Sequence, residues 1–214
     1  MENPYDERYG GETYYWGTRP SRMAYEVLQR LPPDAEEPYR PRKLLVIGCG
    51  EGRNAVFFAR NGYHVTAFDL SAAGVEKTER LAARAGTRVR AFQTDVNAYR
   101  LDEPYDVLFT TGVLHYVPAE LRAELFCNYR RFTRPGGLHV MSVFVHKPFI
   151  PRAPDSDATA DADATKQRWI SGELFTHYAD WRIEYCTEEI FDCMSSGVPH
   201  QHAVNRVVAR KEAD

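Results

Sequence analysis

Residues 43–69 read KLLVIGCGEGRNAVFFARNGYHVTAFD. Lys43–Ile47 is an apolar run long enough for one buried strand and too short for a helix. Gly48, Gly50 and Gly52 follow, alternating with Cys49 and Glu51. Over Asn54–Arg60 the apolar residues Val56, Phe57 and Ala59 fall at helical spacing, and Asn61-Gly62 is a helix stop. His64–Phe68 is a second strand, and Asp69 stands at its end. Strand, glycine turn, helix and strand make a parallel β-α-β unit, a cradle for a nucleotide-like ligand. Its glycines let the backbone approach the ligand closely, and the helix N-terminus offers free N–H groups. An acid at the tip of the second strand can accept hydrogen bonds from both hydroxyls of a ribose.

The glycine spacing separates nucleotide classes. Dinucleotide sites use G-x-G-x-x-G. Here the order is Gly48-x-Gly50-x-Gly52, and Arg53 stands where the third glycine of that fingerprint would fall. No G-K-[ST] of a phosphate loop is present, and a bulky Arg53 argues against a pyrophosphate on that helix end. Asp69 lies 69 − 52 = 17 residues beyond Gly52, near the roughly 20-residue offset of a ribose acid.

The flanking sequence continues the alternation. Residues 1–19 form an aromatic arm. Pro20 and Ser21 precede a helix, Arg22–Leu31, with Met23, Ala24, Val27, Leu28 and Leu31 on one face, ended by Pro32-Pro33. Ser71 caps a helix over 72–84 with Val75, Leu81 and Ala82 facing inward. Arg88–Gln93 is a third strand. Asp106–Thr110 is a fourth, uninterrupted and apolar, and therefore central. Pro118 opens a helix to Phe132 that buries Leu121, Leu125, Tyr129 and Phe132. Pro135-Gly136-Gly137 is a turn before a fifth strand, Leu138–Val145. A short helix, Ser171–Tyr178, and strands near 181–190 and 201–209 close the chain. The expected fold is one α/β domain over 1–214, Rossmann-like and doubly wound, with a mostly parallel seven-stranded sheet and an antiparallel terminal strand. Residues 1–35 supply the arm and first helix. Residues 146–170, with three prolines and the run DSDATADADAT, lack apolar periodicity and read as a lid or an insertion loop.

The 214 residues are 43% hydrophobic and 27% charged, with a net charge of −3. That composition suits one globular domain and supplies no basic field for nucleic acid, so a small-molecule substrate is expected. The N-terminus has no basic–apolar–small signal pattern, and no run is long enough to span a bilayer. A cytoplasmic protein without a membrane partner, monomeric or homodimeric, is expected. Cys49, Cys127, Cys186 and Cys193 make no C-x-x-C pair, which suggests neither a disulfide framework nor a zinc site.

The G-x-G-x-G turn resembles the first motif of class I methyltransferases, which bind S-adenosylmethionine. Further motifs fall in family order: Asp69-Leu70, Asp95-Val96, Tyr105–Leu108 and Arg134-Pro135-Gly136-Gly137. CGEGRN, YWGTRPS, GELFTHYADW and VNRVVARK are similar to segments of tellurite-resistance methyltransferases, enzymes that methylate soft oxyanions of tellurium and selenium. The resemblance implies S-adenosylmethionine as cofactor and S-adenosylhomocysteine as product. It implies that Gly48, Cys49, Gly50, Arg53 and Asn54 surround the cofactor at the first turn, with Asp69 on the ribose and Leu70 over an adenine face. Asp95 would accept from the adenine amino group, the Val96 amide would donate to a ring nitrogen, and the Gly112 carbonyl would take the cofactor's amino group. Asp69 also reads as a helix cap, and Asp95 as a turn former. Val46 stands where the family often has an acid that orients the methionine end. Arg53, Tyr14, Tyr15 and Trp16 are the candidates for that task, and an aromatic face also favours a sulfonium.

Methyl transfer from a sulfonium is an in-line displacement with a neutral leaving group. The protein has chiefly to align the reactants and exclude water. An oxyanion or thiolate nucleophile needs no strong base, whereas a neutral amine or hydroxyl calls for one. The candidates for catalysis are His115, in the loop after the fourth strand, and His200, His202 and Arg206, which share one strand face. That face could form a cationic pocket or a base for a thiol; it also reads as a solvated edge. Two histidines without a third ligand make a poor metal site, so no metal is expected. Cys193 reads as a small buried residue. Trp169 or Trp181 are candidates to wall the substrate side. The expected activity is methyl transfer to a small soft nucleophile such as tellurite, selenite or a thiol. Alternatives are O- or N-methyl transfer to a small molecule, or a non-catalytic cofactor-binding module. The glycine spacing disfavours a nicotinamide-dependent oxidoreductase.

Overall fold

Alternate residues of the first strand, β1 (Lys43–Ile47), enter different layers of the protein. In this computed structural model, which describes residues 4–33, 41–151, 169–194 and 198–212, Leu44 and Val46 pack with Met23, Val27, Ala55 and Phe58. Leu45 and Ile47 pack on the opposite face with Leu125, Phe126, Tyr129 and Tyr178. A strand period of two, buried on both sides, is why the stretch reads as unbroken hydrophobicity. Burying each such large side chain contributes roughly 1.5–3 kcal/mol.

The other strands are β2 (His64–Asp69), β3 (Arg90–Gln93), β4 (Tyr105–Thr111), β5 (Thr133–Val145), β6 (Arg182–Cys193) and β7 (His200–Arg210). They form one seven-stranded sheet in the order β3-β2-β1-β4-β5-β7-β6. β1 to β5 run parallel, and β7 is antiparallel to both β5 and β6. The helices are α1 (Pro4–Gly10), α2 (Arg22–Arg30), α3 (Arg53–Arg60), α4 (Ala72–Arg84), α5 (Ala119–Arg131) and α6 (Glu173–Thr176), with a 3-10 turn at Leu114–Tyr116. The chain winds from β1 out to β3 and then returns to β4. That reversal opens a crevice at the carboxyl ends of β1 and β4, where doubly wound sheets bind ligands. No helix among the described residues is long and apolar enough to cross a membrane.

Several local expectations are corrected. The aromatic arm contains a helix, α1. The inward face of α4 carries Gly74, Lys77, Thr78 and Ala82, with Val75 and Leu81 only half-buried. The cause is close approach: a Cβ on Gly52 (φ 93°) would lie 2.8 Å from the Thr78 Cα. Pro135-Gly136-Gly137 does not precede β5 but lies inside it, because the end of β7 pairs with this segment. Gly136 N donates to Lys211 O at 2.8 Å and Lys211 N to Gly137 O at 2.9 Å. Trp169 and Trp181 are core residues, 1% and 8% exposed. The Trp169 indole donates to Leu114 O at 2.8 Å and lies under the Arg122 guanidinium at 4.2 Å, so it anchors the backbone rather than walling a substrate. Of the expected loop at 146–170, residues 152–168 lie outside the described residues.

One buried polar chain ties β5 to the helical layer. Thr133 Oγ1 donates to Tyr129 O at 2.6 Å and therefore accepts from His139 Nε2, 2.7 Å away. His139 Nδ1 is left to accept from the Tyr178 hydroxyl at 3.0 Å. Burial, and then Arg130 and Lys211, push the His139 imidazole down to about 3, which keeps it neutral.

Candidate active site

The glycine turn and the β2 tip are locked together by one carboxylate. Gly50 N donates to Asp69 Oδ2 at 2.7 Å, and Ser71 N donates to Asp69 Oδ1 at 2.9 Å. Asp69 is thus held between the first turn and the start of α4, with lone pairs left on both oxygens. It is not the helix cap: Ser71 is, accepting from Gly74 N at 3.1 Å. Burial pushes the Asp69 carboxyl up, and its hydrogen bonds from Ser71 and Gly50 partly offset this. Gly48 has φ 68°, and a Cβ there would stand 2.1 Å from Val113 Cγ2, so only glycine fits.

The neighbouring strand ends carry the other candidates. Leu70 is 48% exposed beside the crevice. Asp95 Oδ1 accepts from Asn97 N at 2.8 Å, closing a turn after β3 with Val96 buried behind it. Gly112 has φ 71°, and a Cβ there would point into open space. Three first-turn residues have side chains engaged elsewhere. Cys49 packs in the α2/α3 layer, where burial pushes its thiol up. Asn54 Oδ1 accepts from Ser21 N at 2.8 Å. Arg53, its pKa lowered by burial, donates to Trp16 O at 3.1 Å.

The N-terminal arm roofs this edge. Asp6 Oδ1 accepts from Ser71 Oγ at 2.6 Å and from Ala73 N at 3.3 Å. The Tyr9 ring lies over Gly74, and its hydroxyl accepts from Trp16 Nε1 at 2.9 Å. Trp16 N donates to Glu51 Oε2 at 3.1 Å. Lys77 Nζ donates to Glu51 Oε1 at 2.8 Å and to Thr13 O at 2.6 Å, and stands 5.3 Å from the Tyr14 ring centre. The Glu51 and Lys77 side chains are 1% and 2% exposed. Tyr15 and Trp16 meet edge-on, 4.8 Å apart and partly exposed. Tyr5 reaches across the mouth to hydrogen-bond Tyr116. Sequence reasoning placed Tyr5 and Tyr9 in the aromatic arm without a role at the site, and missed Asp6, Glu51 and Lys77 there. A charge at Glu51, inside a glycine turn that must be buried, was the one available signal that a cation had to come to it.

At the acceptor end, aromatic contacts link the histidines. The His115 ring is 5.0 Å from the Phe144 ring, and Phe144 stacks on His202 at 4.7 Å. His202 Nε2 is 2.9 Å from His200 Nε2, and His200 Nδ1 is 2.8 Å from Val198 O. Burial, and then His200, lower the His202 pKa. Arg206 stands apart, about 13 Å further along β7, and forms an ion pair with Glu189. The expected His200–His202–Arg206 cationic face is therefore divided in two. The expectation that the histidine pair lacks a third ligand is also corrected: Cys193 lies opposite His200 in the β6–β7 register.

The family described as Tellurite resistance protein TehB matches residues 32–196. Over 150 residues the chain is 33% identical to Hemagglutinin 1 of Eikenella corrodens, an alignment that covers 70% of this chain and 47% of that protein. Over 153 residues it is 26% identical to the probable S-adenosyl-L-methionine-dependent methyltransferase TehB of Haemophilus influenzae, covering 71% of this chain and 50% of the other. The chain thus spans about half the length of these curated relatives. The crystal structure of TehB from Haemophilus influenzae shares the fold, with a TM-score of 0.73 at 21% identity over 88% of this chain and 61% of that one. The family match begins just after α2 and runs through all of β6, taking in the glycine turn, Asp69 and the crevice, and the chain belongs to the TehB tellurite resistance protein family.

Proposed function

We propose that this chain is an S-adenosylmethionine-dependent methyltransferase acting on a small soft nucleophile, a chalcogen oxyanion such as tellurite or selenite, or a thiol. The observation that carries the reading is the Asp69 carboxylate, fixed by Gly50 N and Ser71 N at the tip of β2. Its free lone pairs suit a ribose diol, and charge-assisted bonds of this kind are about twice as strong as neutral ones. Gly112, with open space beside its Cα, leaves room for a ligand across the crevice. When bound, S-adenosylmethionine supplies a methyl group on a sulfonium whose departure leaves a neutral thioether. Leu70, Asp95 and Val96 would hold the adenine end. Tyr14, Tyr15 and Trp16 would cover the opposite end and help exclude water. His115, with Phe144 and His202 behind it, would face the nucleophile.

Thermal-shift titration with S-adenosylhomocysteine and with NAD tests the reading. S-adenosylhomocysteine should stabilise the protein by about 2.7 kcal/mol at a hundred times its Kd. Stabilisation by NAD alone would overturn it. A methyl-donor turnover assay across tellurite, selenite, thiols, small phenols and small amines tests the acceptor. Turnover confined to phenols or amines would replace the soft nucleophile.

A further inference from the structure

The tip of the β6–β7 hairpin gathers three donors of one chemical kind. His200 and His202 lie two apart on β7 and so share a face, and Cys193 faces His200 from β6. One ligand atom from each of the three lies within 4.8 Å of the others, and all three residues are half-buried, open to an ion arriving from solvent. We propose that Cys193, His200 and His202 bind a single zinc-class cation, with a fourth coordination position left to an exogenous ligand. The inference is independent of the methyl-transfer reading.

Ligand type and orientation carry it. One sulfur and two imidazoles select zinc or a similarly soft ion over magnesium or calcium. The His200 Nδ1 contact is with the Val198 carbonyl, which can only accept, so Nδ1 holds the ring proton and Nε2 presents its lone pair inward. A backbone carbonyl fixing the far nitrogen in this way is the usual outer support of a metal-bound histidine. In the metal-free state the inward lone pair is met by His202 Nε2–H, at 2.9 Å. Tetrahedral zinc, about 2.0–2.1 Å from each nitrogen, would separate the two by about 3.3 Å. Binding therefore requires a small opening of the pair. It moves the His202 proton from Nε2 to Nδ1, and the Cys193 thiol releases its proton to solvent. Three protein donors are the pattern of a site with an open position, and no further His, Cys, Asp or Glu joins this cluster among the described residues. Because His202 stacks on Phe144 and Phe144 packs on His115, the site adjoins the loop after β4.

The test uses the full chain, stripped of metal and titrated with zinc alone against a chromophoric chelator, then with cobalt(II). One equivalent of zinc should bind at least tenfold more tightly to wild type than to the His200→Ala/His202→Ala double variant. The cobalt form should show the intense visible bands of tetrahedral coordination and a near-ultraviolet sulfur-to-cobalt band that Cys193→Ser abolishes and Cys186→Ser keeps. Equal zinc affinity in wild type and the double variant, or a cobalt spectrum without the sulfur band, overturns the site. Circular dichroism and S-adenosylhomocysteine calorimetry on the same proteins show that each variant is folded, and they keep failure of the metal site distinct from failure of the cofactor reading.

Discussion

Asp69 does two jobs with one carboxylate: it ties the first turn to α4 and offers its remaining lone pairs to the crevice. Asp69→Ala is expected to weaken S-adenosylhomocysteine binding by about 1.5–3 kcal/mol, the range for a hydrogen bond to a charged group. Unchanged affinity by calorimetry would remove Asp69 from the ribose role. The pH dependence has a fixed sign. Burial raises this carboxyl above the ordinary aspartate value, and the charged form is the better acceptor. Affinity should therefore fall on acidification at a higher pH than an exposed aspartate would give, and Asp69→Asn should remove that step. Asp69 was legible in the sequence because glycine turn, helix and strand fix its distance from Gly52. Lys77 was not. A lone lysine in an amphipathic helix reads as solvated, and its partner Glu51 lies 26 residues away.

Among the elements, α1 and the inward face of α4 depart furthest from the sequence reading, and the Glu51–Lys77 pair explains the face of α4 and the fixing of the arm beyond α1. Buried on both sides, the pair draws Lys77 inward on α4 and pins the arm through Thr13 O and Trp16 N. Lys77→Met alone leaves Glu51 buried without its cation and should destabilise the protein by about 3–5 kcal/mol. Adding Glu51→Gln should recover most of that loss in urea unfolding. If the double variant is no better than the single, the pair is not what holds the arm. Helix α1 itself carries little periodic signal in PYDERYG, and its order comes from contacts with Ser71, Gly74 and Tyr116 that local sequence does not encode. The β5 start was misread for a related reason. Pro-Gly-Gly has turn chemistry, but pairing with Lys211 at the end of β7 draws it into the sheet.

For the molecule as a whole, the apolar strands and their alternation with helices were readable because both faces of a parallel sheet must be buried. The position of β7 between β5 and β6 is set by long-range pairing, which periodicity does not report. His139 makes overall stability depend on pH. Its folded pKa, about 3, lies below the ordinary value of 6.5, so the unfolded chain takes up the proton first. This contribution is complete above about pH 6.5 and is lost as pH falls toward 3, by up to roughly 5 kcal/mol. Urea midpoints at pH 7 and 4.5 should differ in wild type and converge in His139→Leu. A wild type as stable at pH 4.5 as at pH 7 would contradict it. The Tyr5–Tyr116 contact has a consequence in time rather than in energy. On the proposed reading, a roof latched to the far bank of the crevice would admit and discharge the cofactor only while unlatched. On the proposed methyl-transfer reading, unlatching would limit product release, so Tyr5→Phe should quicken it in single-turnover and steady-state kinetics compared side by side.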